Sequence, residues 1–292
     1  MTVRRPTDLL SAALMSASAR FTVRYGEPLR FAGQDLPAPR RTKVATRHGK
    51  VPVDVHGPDG APLYVHLHGG AWLMRYPQMD DWWCRYLVAT AGVQVLNVDF
   101  QTGPYVTYPV AQEQSYDVAA WAAAQGRPLV VGGFSSGGGT AAAVCLMARD
   151  SGAFAPVLQV LGVPALDMAT EVPSAGGMIS PSLRALVRRV YFPDASRRAE
   201  PYASPLLAED LRGLPPAVVL TGERDALRPD GDRYAARLRE AGVEVLHDVT
   251  PRVDHYFLTE DPARARLTMA LVADEVRRRT GQLPGEGLTS AG

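Results

Sequence analysis

The stretch Leu129-Val130-Val131-Gly132-Gly133-Phe134-Ser135-Ser136-Gly137-Gly138-Gly139-Thr140 decides the fold. Its first three residues are apolar and mostly β-branched, as in a strand buried on both faces. The small residues from Gly138 through Ala141-Ala142-Ala143 read as a helix. Between them Gly133-Phe134-Ser135-Ser136-Gly137 fits Gly-x-Ser-x-Gly, a sharp strand-to-helix turn that exposes the serine hydroxyl near the positive end of the helix. The glycines permit the turn, and Ser135 becomes a candidate nucleophile. A glycine-rich turn with an inert serine is the plain alternative. A phosphate-binding loop would need a Gly-Lys-Ser/Thr ending, which the stretch lacks.

Around this centre, short apolar runs alternate with helical stretches. Strands are predicted at 51–55, 63–67, 93–98, 129–131, 157–161, 217–220 and 243–246, and helices at 79–90, 111–124, 138–149, 230–241 and 262–279. Such alternation implies a mostly parallel sheet with helices on both faces, the earliest strands pairing antiparallel. Residues 167–214 separate two strands by more than an ordinary loop. They carry a helix at 182–191 with Leu183, Leu186, Val187, Val190 and Tyr191 on one side and Arg184, Arg188 and Arg189 elsewhere, the pattern of a lid packed apolar side down. The expected division is an N-terminal cap segment (1–45), a core (46–166 and 213–285), a cap insertion (167–212) and a C-terminal tail (286–292).

Composition narrows the function. With 292 residues, 46% of them hydrophobic, the chain can bury a large core unaided. Lys and Arg number 31 against 30 Asp and Glu, so the molecule lacks the positive field that a phosphate backbone demands, and nucleic acid is not an expected partner. Residues 1–50 do carry ten basic against three acidic residues, read as a solvated face. Of the 31 basic residues 29 are Arg, a trait read as genome composition. No apolar stretch approaches the ~18 residues a membrane span requires. The stretch Met1 to Arg20 is read as an amphipathic surface helix rather than a cleaved signal, because Asp8 and serines interrupt it. A cytoplasmic location is expected. Cys84 and Cys145 sit in apolar surroundings and form no metal motif; buried free thiols are expected. No dinucleotide fingerprint or metal cluster is visible, so no cofactor is expected.

The remaining chemistry follows Ser135 in chain order or flanks it. His68-Gly69-Gly70-Ala71-Trp72 comes directly after a predicted strand, where a glycine pair leaves backbone N–H groups bare for an oxyanion. Asp225 follows the strand 217–220, where a triad acid belongs, with Glu223, Asp230 and Asp232 as rivals. Only His247 and His255 lie beyond it, and His247 falls inside a strand pattern, which leaves His255 as the candidate base.

With these motifs in view, the sequence resembles the hormone-sensitive-lipase-like esterases of the α/β-hydrolase superfamily over roughly residues 53 to 257. Asn97-Val98-Asp99-Phe100 with Pro104 and Tyr108-Pro109, Ser204-Pro205-Leu206-Leu207 before Leu214-Pro215-Pro216, and Asp225-Ala226-Leu227-Arg228-Pro229-Asp230-Gly231 carry the likeness. The resemblance implies an α/β-hydrolase fold, a mostly parallel central sheet flanked by helices, with a helical cap. It implies Ser135 as nucleophile, Asp225 as acid and His255 as base, with Gly69, Gly70, Ala71 and Ser136 forming the oxyanion hole. The chain departs from the family pattern at Ala71 (usually glycine), Phe134 (often aspartate), Ser136 (often alanine) and Gln101 (usually arginine).

The expected activity is hydrolysis of small to medium carboxylic esters through an acyl-enzyme, with Trp72, Met178, Tyr191 and Phe192 as candidate pocket walls. An amidase, especially an arylformamidase, is the alternative, since His-Gly-Gly-x-Trp also occurs there. A ligand-binding protein on the same fold is a third reading, disfavoured because all three triad residues are present. A small-molecule ester is the expected partner, and a homodimer is compatible with the reading.

Overall fold

The computed structural model describes residues 4–23, 26–171 and 177–282. Eight strands form one sheet: β1 (Arg40–Thr46), β2 (Gly49–His56), β3 (Leu63–Leu67), β4 (Gln94–Val98), β5 (Leu129–Phe134), β6 (Leu158–Gly162), β7 (Ala217–Gly222) and β8 (Val245–Thr250). Their order is β1-β2-β4-β3-β5-β6-β7-β8. Strand β2 runs antiparallel to both its neighbours, and every pairing from β4 onward is parallel.

Strand alternation sends side chains into two cores. Val65, Leu67 and Val131 enter one with Val118, Ala142 and Tyr234. Tyr64 and Val130 enter the other with Trp83, Leu87 and Met269. Thus α3 (Val110–Ala123), α4 (Ser136–Ser151) and α6 (Arg228–Glu240) cover one face, while α2 (Asp81–Ala91) and α8 (Pro262–Thr280) cover the other. Helix α8 begins where the Asp261 carboxylate accepts the Arg264 N–H at 3.0 Å, and it ends at Gly281 in the left-handed region.

Over the sheet lie α1 (Pro6–Thr22) and α5 (Pro181–Val190); the short α7 (Phe257–Glu260) precedes α8. Pro6 opens α1 and Ser180 caps α5 by accepting the Leu183 N–H. Asp8 takes both Nε (2.7 Å) and Nη2 (3.0 Å) of Arg189, which clamps α1 onto α5 and holds the Asp8 carboxyl below its ordinary range. No helix among the described residues is long and apolar enough to cross a membrane.

Two expectations need correction. Residues 40–45, placed in the cap segment from sequence, belong with Thr46 to the sheet's edge strand β1, paired along its length with β2; the run Arg-Arg-Thr-Lys is polar because an edge strand is half solvated. Helix α1 lies on the surface: Ala12 and Ala19 are buried, Leu9 and Met15 pack partly against the core, and Leu10, Leu14 and Phe21 are exposed. Small residues let the helix axis lie close. On α5, Arg188 is buried rather than solvated, its Nε donating to the Met168 carbonyl at 2.9 Å. The C-terminal tail 286–292 lies outside the described residues.

Because the Asp8–Arg189 ion pair ties α1 to the cap beside the weaker Arg4 bond to the Val190 carbonyl (3.4 Å), Arg189→Ala should cost under about 1 kcal/mol of global stability yet expose α1 to chymotrypsin at Leu10 and Phe21. Limited proteolysis with urea denaturation checks this. Unchanged cleavage rates at both sites would contradict it.

Candidate active site

Backbone contacts around β5 build the site. An added Cβ at Gly137 would lie 1.9 Å from the Leu67 carbonyl oxygen, and one at Gly133 would lie 2.3 Å from it. Only glycine allows strand β3 and the turn after β5 to approach so closely. The turn forces Ser135 to φ 55°, ψ −118°, a conformation that costs a non-glycine residue on the order of 1–3 kcal/mol. Three bonds hold it there: the Ser135 N–H donates to the Gly162 carbonyl (2.8 Å), and the Ser135 carbonyl accepts from Gly139 (3.0 Å) and Ala165 (3.1 Å). Helix α4 starts at the next residue, so its positive end lies beside the serine.

The loop after β7 carries Asp225 and the segment after β8 carries His255. His255 Nδ1 lies 2.8 Å from Asp225 Oδ2, and His255 Nε2 lies 3.0 Å from Ser135 Oγ. Asp225 is buried, and its second oxygen accepts the Leu227 N–H at 2.9 Å. The carboxylate thereby receives Nδ1–H and leaves Nε2 free to accept the serine proton. The rival acids lie elsewhere: Glu223 accepts the Arg252 N–H, Asp230 is buried under α6, and Asp232 pairs with His247 at 3.2 Å. Asp254 was not foreseen. It accepts the His255 N–H (2.7 Å) on one oxygen and the Met178 N–H (2.9 Å) on the other, which ties the histidine segment to the cap.

The glycine pair after β3 lies against Ser135, since a Cβ at Gly69 would meet the Phe134 carbonyl at 3.4 Å and the Ser135 Cβ at 3.8 Å. Strands β3 and β5 are neighbours with Leu67 opposite Gly133, so the loop is delivered by sheet register. Gly70, Ala71 and Trp72 all have positive φ, at 108°, 57° and 53°. The Leu73 and Met74 N–H groups donate back to the Gly70 carbonyl. No acceptor among the described residues takes the N–H of Gly70, Ala71 or Ser136. His68 is wholly buried; its Nδ1–H donates to the Gly69 carbonyl at 2.7 Å and its ring stacks on Phe100 at 4.3 Å. Burial pushes its pKa down to about 4, so it holds the loop as a neutral ring at pH 7.

Two cavities meet at Ser135. The larger, about 110 Å³, is lined by His255, Gly69, Gly70, Ala71 and Met178 and by apolar side chains including Trp82. Val23 and Leu29 from the N-terminal segment join that wall; no periodicity marks them out in the sequence. The smaller, about 40 Å³, is lined by Ser136, Ala71, Trp72, Asp167, Arg184 and Leu183 among others. Trp72 and Met178 therefore reach the cavities. Tyr191 and Phe192 line neither, which corrects the sequence expectation. They are buried behind Trp72, with ring centroids 6.0 Å and 5.1 Å from its own, and the Tyr191 hydroxyl is engaged by the Ala111 N–H and by Gln112. An amphipathic helix end cannot reveal which aromatic faces ligand and which backs it.

A strained serine at a strand-helix turn, a buried histidine-carboxylate pair and a bare-amide loop meet at one sheet edge of a doubly wound α/β fold. Comparison with known proteins agrees. A family model described as the alpha/beta hydrolase fold matches residues 64–259. The carboxylic ester hydrolase LipN of Mycobacterium tuberculosis is 35% identical over 234 residues, 72% of this chain and 61% of LipN. The chain thus spans about three fifths of LipN's length. An arylesterase of Saccharolobus solfataricus is 30% identical over 250 residues, covering 80% of this chain and 81% of that enzyme. The esterase of Pyrobaculum calidifontis superposes with a TM-score of 0.82 at 28% identity, over 95% of both chains. This chain belongs to the α/β-hydrolase family, in its hormone-sensitive-lipase-like branch.

His68 gives the protein a pH-dependent stability. Its folded pKa of about 4 lies below the roughly 6.5 of an unfolded histidine. Between those values the unfolded chain binds a proton that the folded chain refuses, so stability rises with pH there. Acidification from pH 7 to 4 should remove on the order of 3 kcal/mol through this group. Urea unfolding across that range should give a distinctly shallower slope for His68→Asn than for wild type; equal slopes would contradict the assignment.

Proposed function

We propose that this chain is a carboxylic ester hydrolase that works by two-step acyl transfer at Ser135. The observation that carries the reading is the unbroken hydrogen-bond chain Ser135 Oγ, His255, Asp225, at 3.0 and 2.8 Å, opening on a cavity beside three unpaired N–H groups. Both sequence relatives and the superposed structure are known as ester hydrolases, which supports it.

His255 Nε2 removes the Ser135 proton as Oγ bonds to the ester carbonyl carbon. The carbonyl oxygen becomes an oxyanion and is received by the N–H groups of Gly70, Ala71 and Ser136, with Gly69 shaping the loop. These donors are fixed before substrate arrives, so little reorganisation opposes the step. Asp225 holds the Nδ1–H tautomer, and its negative charge offsets the imidazolium. The tetrahedral centre then breaks its bond to the alcohol oxygen, which leaves with the proton from Nε2. Water repeats the sequence on the acyl-enzyme: it gives a proton to His255, bonds to the acyl carbon, and releases the carboxylic acid as Ser135 is reprotonated.

The larger cavity holds roughly 7–10 water-sized groups, which suits small to medium esters rather than long-chain fat. In p-nitrophenyl ester assays Ser135→Ala and His255→Ala should each lower kcat by on the order of 10⁶, and Asp225→Asn by about 10⁴. Retention of more than a tenth of wild-type turnover in Ser135→Ala would overturn the reading.

A further inference from the structure

The smaller cavity at Ser135 has an unusual wall. Asp167 is 2% exposed and lines it. One carboxylate oxygen, Oδ1, accepts the N–H groups of Ala169 and Thr170, both at 2.9 Å; the other, Oδ2, has no partner among the described residues. A buried carboxylate oxygen without a donor is costly and calls for an occupant. The Ser136 hydroxyl, also buried and lining this cavity, likewise has no partner. From the cap side, Arg184 lines the same space, and its guanidinium makes no hydrogen bond or ion pair among the described residues. Its neighbour Arg188 is engaged by the carbonyls of Met168 and Thr170.

Mechanism assigns the cavity a role. The leaving alcohol must take its proton from His255, and His255 lines only the larger cavity. The alcohol therefore departs on that side, and the acyl substituent points into the smaller one, past Ser136. At about 40 Å³ it has room for roughly three water-sized groups.

We propose that this cavity is an acyl subsite that selects short acyl groups bearing a neutral hydroxyl, with Asp167 accepting the hydroxyl proton and Arg184 or Ser136 donating to its oxygen. A hydroxyl is donor and acceptor at once and so satisfies a carboxylate and a guanidinium together. An ammonium group would face Arg184 and Arg188, and a carboxylate would face Asp167 with Asp230 behind it. Burial and the Asp167 charge push the Asp230 carboxyl up to about 6, so Asp230 is ionised at pH 8. A purely aliphatic acyl chain would leave the polar atoms unpaired, the situation in which enzymes discriminate most strongly.

The inference rests on Ser135 acting as proposed above. The test compares four benzyl esters at pH 8, which share one leaving alcohol: the butanoate, the isosteric 3-hydroxypropanoate, the 3-aminopropanoate and the malonate half-ester. Each kcat/KM is normalised to the ester's alkaline hydrolysis rate. The hydroxy ester should exceed the butanoate by about tenfold or more, with both charged esters below it. Asp167→Asn keeps the acceptor for Ala169 and Thr170 but turns Oδ2 into a donor, and should bring the hydroxy-to-butanoate ratio to near 1. Arg184→Met, on the half-exposed cap helix, should lower the same ratio without disturbing the buried turn. A wild-type ratio at or below 1, or a ratio that survives both substitutions in folded protein, overturns the subsite while Ser135-dependent hydrolysis of the butanoate persists. Absence of Ser135-dependent hydrolysis of all four overturns both readings.

Discussion

The close approach of Gly133 and Gly137 to the Leu67 carbonyl is the constraint on which the remaining geometry depends. It brings the end of β5 and the start of α4 against β3 with no side chain between, and so compels the tight turn that presents Ser135. Since β3 and β5 pair with Leu67 opposite Gly133, the bare loop that follows β3 emerges beside the same turn. Parallel strands put all their C-terminal ends on one edge. The loop after β7 and the segment after β8 therefore bring Asp225 and His255 to Ser135, although 30 and 120 residues separate His255 from them.

Around that edge the protein uses charge sparingly. His68 is kept neutral by burial and serves as a rigid hydrogen-bond donor to the loop, while Asp225 is enclosed and receives two donors. Asp254 couples the histidine segment to the cap through Met178, so the cap wall and the base are positioned together. The two cavities differ in the same terms. The wall shared with α1, α2 and the cap is apolar, whereas the one beneath α5 carries one oxygen of a buried carboxylate and a guanidinium, neither of which has a partner among the described residues.

Much of this was legible in the chain. The runs at 63–67, 129–131 and 217–220 were visible because strands buried on both faces are continuous in apolar character, and they match β3, β5 and β7 to within three residues. The serine turn and the glycine pair were readable because both need residues that ordinary loops do not. Strand β1 was not, because a half-solvated edge strand of Arg, Lys and Thr has no apolar signature. The lining roles of Asp167 and Arg184 were equally hidden. Each depends on the approach of α5 to the turn after β6, a tertiary contact that leaves no local pattern. For Tyr191 and Phe192, position in the cap suggested ligand contact, and packing behind Trp72 decided otherwise.

Intact-protein and peptide mass spectrometry after treatment with a fluorophosphonate tests the central claim most directly, because two serines stand side by side at the turn. The account predicts one phosphonyl group per chain, on Ser135, and none when His255 is replaced by alanine. Modification of Ser136, or adduct formation that is indifferent to His255, would contradict it.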